Sequence, residues 1–290
     1  MALIALSAPG RAQTRQTYFE YPLVPDSLET LQKRCDYLLD HFWDFCDLKK
    51  AFSSKSRMKE AFTDYLSFMP MASADMVYSS IDRLAKKLEK QPDDLLFLVQ
   101  EAENQVMGDT CQYYSEQVYL QFAKAALANK RVDKTTKLRF QQQVQQLGST
   151  QPGMTAPDLH YTDRAGQPRS LAADSATLLV VYFNDPDCSE CRMARVQLDA
   201  NIQATKLIDM GIMKVICLTP SEYSPEWAES VSVYPEKWTV GAAPEADMVY
   251  HILEYPSFYI LDNQHKIHAK NYNIDQMLEV ISRMEQRVSH

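Results

Sequence analysis

The chain has 290 residues, 46% hydrophobic and 23% charged, enough apolar material for a sizeable core in more than one domain and too much for a disordered or collagen-like chain. Its 38 acids and 30 bases are interspersed and leave a formal net charge of -8, which excludes the basic footprint of a nucleic-acid binder. Six cysteines are too few for a disulfide scaffold, so their placement matters more than their number.

Residues 1–13 run Ala2-Leu3-Ile4-Ala5-Leu6 into Ser7-Ala8-Pro9-Gly10-Arg11-Ala12-Gln13, an apolar stretch followed by small residues. This resembles a signal peptide without the usual basic start; the other reading is a plain apolar tail. The first cysteine is Cys35, so a lipid anchor at the cleavage point is not supported, and an exported, periplasmic protein is expected. Beyond that stretch the longest apolar run, 178–183, is far short of the ~20 residues needed to cross a bilayer, so no membrane span is predicted.

From 26 to 147 apolar residues recur at helical spacing: Leu28, Leu31, Cys35, Leu38, Phe42 and Phe45, then Met58, Phe62, Tyr65, Leu66 and Met69. Start signals at Asp26 with Glu29, at Ser73, at Pro92-Asp93 and at Asp133 suggest about five or six helices packed as a bundle over 18–147. On one such helix Cys35 and Cys46 would sit ~16 Å apart, beyond disulfide reach. Either could meet Cys111, although a small apolar core role suits all three better. Phe42, Trp43 and Phe45 read as core, as do Tyr113, Tyr114 and Tyr119.

The breaker-rich Gly148-Ser149-Thr150-Gln151-Pro152-Gly153 marks a boundary, and a second domain is expected over 153–290. Its apolar runs at 178–183, 213–218 and 258–261 have strand length, the last turning through Asp262-Asn263-Gln264-His265 into Lys266-Ile267-His268. Helical stretches at 191–206, 226–230 and 275–288 alternate with them, as in a layered α/β sheet. The fold class expected is thus α+β in two domains: an all-α bundle, then an α/β domain.

The strand Val180-Val181-Tyr182-Phe183 runs through Asn184-Asp185-Pro186-Asp187 into Cys188-Ser189-Glu190-Cys191, a Cys-x-x-Cys pair opening a helix. A cysteine at a helix N-terminus faces free backbone amides and the positive end of the macrodipole, which favours its thiolate. Cys188 is the candidate nucleophile, and Cys191, one turn on, can resolve a mixed disulfide formed on it. A static disulfide would close too small a loop to add much stability. Zinc would need two further ligands; a second Cys-x-x-Cys or a His-x-x-x-His is absent, which leaves the distant His251, His265 and His268 as the alternative, and no metal or bound cofactor is expected.

Three landmarks over 153–290 together resemble a thioredoxin-like domain of the extracytoplasmic thiol-reductase kind. They are Gly153-Met154-Thr155-Ala156-Pro157-Asp158-Leu159 with Asp163 and Gly166, the pair Cys188 and Cys191, and Tyr255-Pro256-Ser257-Phe258-Tyr259-Ile260-Leu261-Asp262. The resemblance implies a cis Pro256 facing the cysteines, with Tyr255 offering backbone groups to a substrate chain. Residues 18–147, on the pattern Asp36-Tyr37-Leu38-Leu39-Asp40-His41-Phe42-Trp43-Asp44, resemble the helical domain of unknown function that precedes thioredoxin-like domains in some Gram-negative envelope proteins.

The match departs in two places. Asp187-Cys188-Ser189-Glu190-Cys191 replaces aromatic-Cys-Gly-Pro-Cys, and Tyr182 stands where thioredoxins carry a buried acid, so proton transfer to Cys191 must come from elsewhere. Glu190 is the nearest ionisable candidate, beside its reading as a solvated first-turn acid. Acids beside the thiols, only partly offset by Arg192, disfavour the thiolate and predict a potential nearer the roughly -270 mV of thioredoxin than the roughly -120 mV of a strong oxidase. A peroxiredoxin would need Thr or Ser three residues before the cysteine, where Asp185 stands. Cys217 reads as a buried, inert thiol, while Trp227 and Trp238 are candidates to line the site.

The expected activity is that of an exported thiol-disulfide oxidoreductase, a reductase, acting through Cys188 and Cys191 on protein disulfides and recharged by an electron-donor protein. The second reading is a redox-inactive thioredoxin-like binding or scaffold protein whose helical domain is the interaction surface.

Overall fold

A computed structural model of the chain describes residues 17–108 and 111–288. The residues with signal-peptide character lie outside them. The chain divides into two compact units, 1–141 and 142–290.

In the first unit the described residues form α1 (Leu31–His41), the short α2 (Leu48–Ala51), α3 (Lys55–Ser67), α4 (Ala74–Lys87), α5 (Pro92–Val106) and α6 (Glu116–Ala128), and α7 (Lys134–Ser149) runs across the division. Each buries a stripe at helical spacing, for example Val77, Ile81 and Leu84 on α4 and Leu95, Leu98, Val99 and Ala102 on α5. α4 packs on α1 and α6, and α5 on α3 and α6. A buried polar chain ties three of them: Tyr65 Oη donates to Ser80 Oγ at 2.8 Å, and Ser80 Oγ donates to the Leu39 carbonyl at 2.5 Å. Each group thereby keeps a partner away from water.

The starts and ends differ in part from expectation. Thr30, not Asp26, caps α1, accepting from Lys33 N at 3.3 Å. α1 stops at His41, and Cys46 lies in the loop beyond, so Cys35 and Cys46 do not share a helix. The chain turns there, with Asp44 N bonded to the His41 carbonyl, and Phe42 and Trp43 both reach a cluster with Phe19, Tyr21 and Tyr65. Phe45, expected in that core, is 61% exposed, and Tyr114 is also exposed, whereas Tyr119 is buried. None of the six cysteines is in a disulfide.

The second unit is a seven-stranded mixed sheet with helices, in the order β2-β1-β5-β4-β3-β6-β7. The strands are β1 (His160–Asp163), β2 (Pro168–Ser170), β3 (Leu178–Phe183), β4 (Met213–Thr219), β5 (Thr239–Ala242), β6 (Ser257–Leu261) and β7 (Ile267–Tyr272). The helices are α8 (Ser189–Asp199), α9 (Ile202–Asp209), α10 (Pro225–Ser230), the four-residue α11 (Ala246–Val249) and α12 (Ile274–Val288). β3 pairs parallel with β4 and antiparallel with β6. All six of its residues are buried: Leu178, Val180 and Tyr182 join one core cluster, and Leu179, Val181 and Phe183 join another. That is why the segment reads as an unbroken apolar run: a central strand covered on both faces has no polar side to show.

One strand and one break escaped the sequence pattern. β5 has only four residues, one of them Gly241, and shows neither alternation nor length. The stretch expected as one helix over 191–206 is two, because Asn201 caps α9 by accepting from Ala204 N at 2.8 Å. The breaker segment 148–153 overlaps the last two residues of α7, and the division into units falls earlier, at 141, since the last turns of α7 belong to the second unit. There Gln146 Nε2 donates to the carbonyls of Asp247 at 2.6 Å and Tyr250 at 3.0 Å.

Gly241 sets a close approach in the sheet: a Cβ there would lie 2.2 Å from Cδ2 of the buried Tyr161 ring. Gly241→Ala therefore has to displace that ring from β1, and a loss of about 1–3 kcal/mol is expected. A lowered urea midpoint in equilibrium unfolding checks this; an unchanged midpoint would show that the ring yields freely.

Candidate functional site

The end of β3 and the start of α8 bring the cysteine pair to the sheet's edge. Cys188 is the N-cap of α8, its Sγ accepting from Cys191 N at 3.1 Å. The buried stripe Cys191, Ala194 and Leu198 fixes the helix on the sheet and turns Cys188 outward, half-buried, while Cys191 is 0% exposed. Charge developing on the Cys188 sulfur thus meets a helix N-terminus and a backbone N–H. Burial pushes the Cys191 thiol up to about 12, and its hydrogen bond with Cys188 adds to the rise. The two thiols are unequal, one accessible and one held protonated.

Across from α8 the Tyr255-Pro256 peptide is cis, and the Tyr255 carbonyl accepts from Cys188 Sγ at 3.6 Å. The fold therefore brings together Cys188, Cys191, Tyr255 and Pro256. Glu190 is different: it is exposed in the first turn of α8, lines a cleft with Tyr255 and Pro256, and makes no hydrogen bond to either thiol among the described residues. The cleft, of about 340 Å³, runs between α8, the segment before β6 and the start of α12.

Beneath the pair the position of Tyr182 is filled by a neutral network. Tyr182 Oη donates to the Cys191 carbonyl at 2.7 Å, and Asn184 Nδ2 donates to Tyr234 Oη at 2.7 Å. Tyr182 stacks on Phe258 with centroids 4.6 Å apart and meets the edge of Trp238 at 6.3 Å. Trp238 and Trp227 are core residues and do not line the cleft; Trp227 Nε1 donates to Thr219 Oγ1 at 2.8 Å. Cys217, paired in register with Tyr182 on β4, is fully buried, and burial holds its thiol well above the usual range. Of the histidines weighed as metal ligands, His265 bonds the Asp174 carbonyl and His268 bonds Asp262.

Sequence reasoning missed the residues that hold the cis-proline segment. Tyr255 Oη donates to Asp247 Oδ1 at 2.5 Å, and Asn271, at φ 54°, accepts from Ser257 Oγ at 3.0 Å and from Leu253 N at 3.4 Å. These pin both sides of Pro256. Neither carries a motif; an asparagine tolerant of positive φ within a strand is the only signal Asn271 offers.

The fold has a solved counterpart. A thioredoxin-like protein from Bacteroides caccae superposes with a TM-score of 0.76 at 18% sequence identity, over 92% of this chain and 99% of the other. The fold is thioredoxin-like. Two shorter structures match about half of this chain. The thioredoxin domain of a thiol-disulfide oxidoreductase from Bacteroides vulgatus is 20% identical, over 46% of this chain and 97% of its own, with a TM-score of 0.41. A thiol:disulfide interchange protein from Bacteroides sp. is 21% identical, over 48% and 92%, with a TM-score of 0.41. Residues 7–149 match the family described as domain of unknown function (DUF5106), which supplies no chemistry. No curated protein matches the chain in sequence.

The buried hydroxyls and thiols give the thioredoxin-like unit a pH signature. Burial raises Cys191, Cys217, Tyr161, Tyr182, Tyr234 and Tyr250 above the ordinary 9.0 of cysteine and 10.0 of tyrosine. Above those ordinary values the unfolded chain loses protons that the folded chain keeps, so stability present below about pH 9 is lost as pH rises. The urea midpoint is expected to stay flat from about pH 7 to 8.5 and to fall above about pH 9. A midpoint still flat near pH 11 would contradict the burial of these groups.

Proposed function

We propose that the chain is a thiol-disulfide oxidoreductase that reduces protein disulfides through Cys188 and Cys191, working outside the cytoplasm as the character of residues 1–13 suggests. The observation that carries this reading is the unequal pair: an accessible sulfur at a helix N-terminus, 3.1 Å from a backbone N–H, over a fully buried second thiol. The thioredoxin-like fold supports it.

Cys188, as thiolate, attacks one sulfur of a client disulfide; that S–S bond breaks and the departing client thiolate takes up a proton from water. Cys191 then gives up its proton and attacks Cys188 Sγ, the mixed disulfide breaks, and the second client thiol leaves as the Cys188–Cys191 bond forms. The client gains two electrons and the chain loses two, which a dithiol donor protein restores. Tyr255 and Pro256 lie where they can line up the client chain, and Tyr182, tied to the Cys191 carbonyl, holds the first turn of α8 in place. Beyond burial, the Cys188 thiol and the charge of Asp185 both raise the Cys191 thiol, and Glu190, exposed in the cleft, has no role as a base in this reading.

Cys191→Ala in the full chain is expected to accumulate mixed disulfides between Cys188 and client proteins, visible as dithiothreitol-sensitive bands on non-reducing gels and absent in Cys188→Ala/Cys191→Ala. No such adducts would favour the scaffold reading, with the helical unit as the interaction surface.

A further inference from the structure

The cleft beside Cys188 carries charge of one sign. Three carboxylates line it, Glu190 from α8, Glu254 from the segment before the cis-proline and Asp275 from the first turn of α12, and no lysine or arginine does. Among the described residues none of the three is in an ion pair, whereas further along α12 Glu279 pairs with Arg283 and Glu285 with Lys206. Glu190 and Asp275 each complement a helix N-terminus, but Glu254 lies outside any helix and has no such use. The approach to Cys188 adds Asp185 and Asp187; the nearest base in sequence, Arg192, is exposed and outside the cleft lining. Between the carboxylates Met193, 60% exposed, lines the cleft together with Pro256 and Ile274, beside the neutral polar Ser189, Gln197 and Asn273.

A cleft with an apolar patch and an uncompensated acidic rim, opening beside a reactive sulfur, has a complementary occupant. We propose that it takes an extended, cationic segment of the client polypeptide, with lysine or arginine within a few residues of the disulfide cysteine and an apolar side chain seated on Met193, Pro256 and Ile274. This rests on the reading of Cys188 as nucleophile and adds the client's chemistry. Rim charges of this kind steer encounter and act mainly on the association rate, and salt screens them. Anionic segments meet repulsion from the same three carboxylates.

The test is single-turnover reduction of two disulfide-linked peptide dimers by the prereduced full chain, quenched with acid and read by mass. The peptides differ only in carrying two lysines or two glutamates around the cysteine, and bis(2-hydroxyethyl) disulfide serves as a neutral substrate. The lysine dimer is expected to react about tenfold faster than the glutamate dimer at low salt, the ratio closing at roughly 0.5 M NaCl. In Glu254→Lys/Asp275→Lys the ratio should fall to one or below. Equal rates at low salt, or a preference that survives both salt and the double variant, would overturn the proposal while leaving Cys188 as nucleophile. A chain that reduces none of the three substrates would remove the parent reading, and the client assignment with it.

Discussion

The constraint on which the second unit depends is the complete burial of β3. A strand covered on both faces cannot display chemistry along its length; what it can do is deliver the next residues, rigidly, to the edge of the sheet. Here that delivery takes the four residues 184–187, from Phe183 to Cys188, the N-cap of α8. α8 must then lie on the sheet by its Cys191, Ala194 and Leu198 stripe, and this single requirement buries one sulfur and leaves the other facing out. The asymmetry of the pair is thus a packing result before it is a chemical one.

Chemistry follows from what surrounds the two sulfurs. In a disulfide reductase the reduced pair should not be over-stabilised, since a strongly favoured thiolate makes an oxidant. Cys188 Sγ sits at the N-terminus of α8 and accepts the Cys191 N–H, and Asp185, Asp187 and Glu190 flank it in the chain. Under the pair, Tyr182, Asn184 and Tyr234 supply neutral hydrogen bonds where a carboxylate would add charge. The proton on Cys191 is held first by burial, with the Cys188 thiol and the charge of Asp185 adding to the hold.

What the sequence made legible was whatever repeats or has a fixed order. Leu178 to Phe183 declared a central strand by length and composition, the Cys-x-x-Cys spacing declared a helix start, and the family resemblance carried by these with Tyr255-Pro256 implied the opposing wall. What it hid depends on contacts distant along the chain. β5 exists because Gly241 leaves room for the Tyr161 ring, which no local pattern records. Asp247 and Asn271 matter through what they hold, Tyr255 on one side of Pro256 and Ser257 on the other. Trp227 and Trp238 showed the reverse: aromatic residues near the site in sequence proved to be core, because Tyr182 and Thr219 needed partners beneath the sheet's edge. In the helical unit, periodicity found the stripes but not the turn after His41, where two neighbouring aromatic residues both had to be buried.

The central claim is that Cys188 and Cys191 form a working redox couple, and the equilibrium of that couple is the most direct measure of it. Titration of the purified chain against a dithiol buffer, with alkylation and mass readout at both cysteines, should give a reversible intramolecular disulfide with a potential near roughly -270 mV. A pair that forms no reversible disulfide, or one poised near roughly -120 mV, would contradict the account.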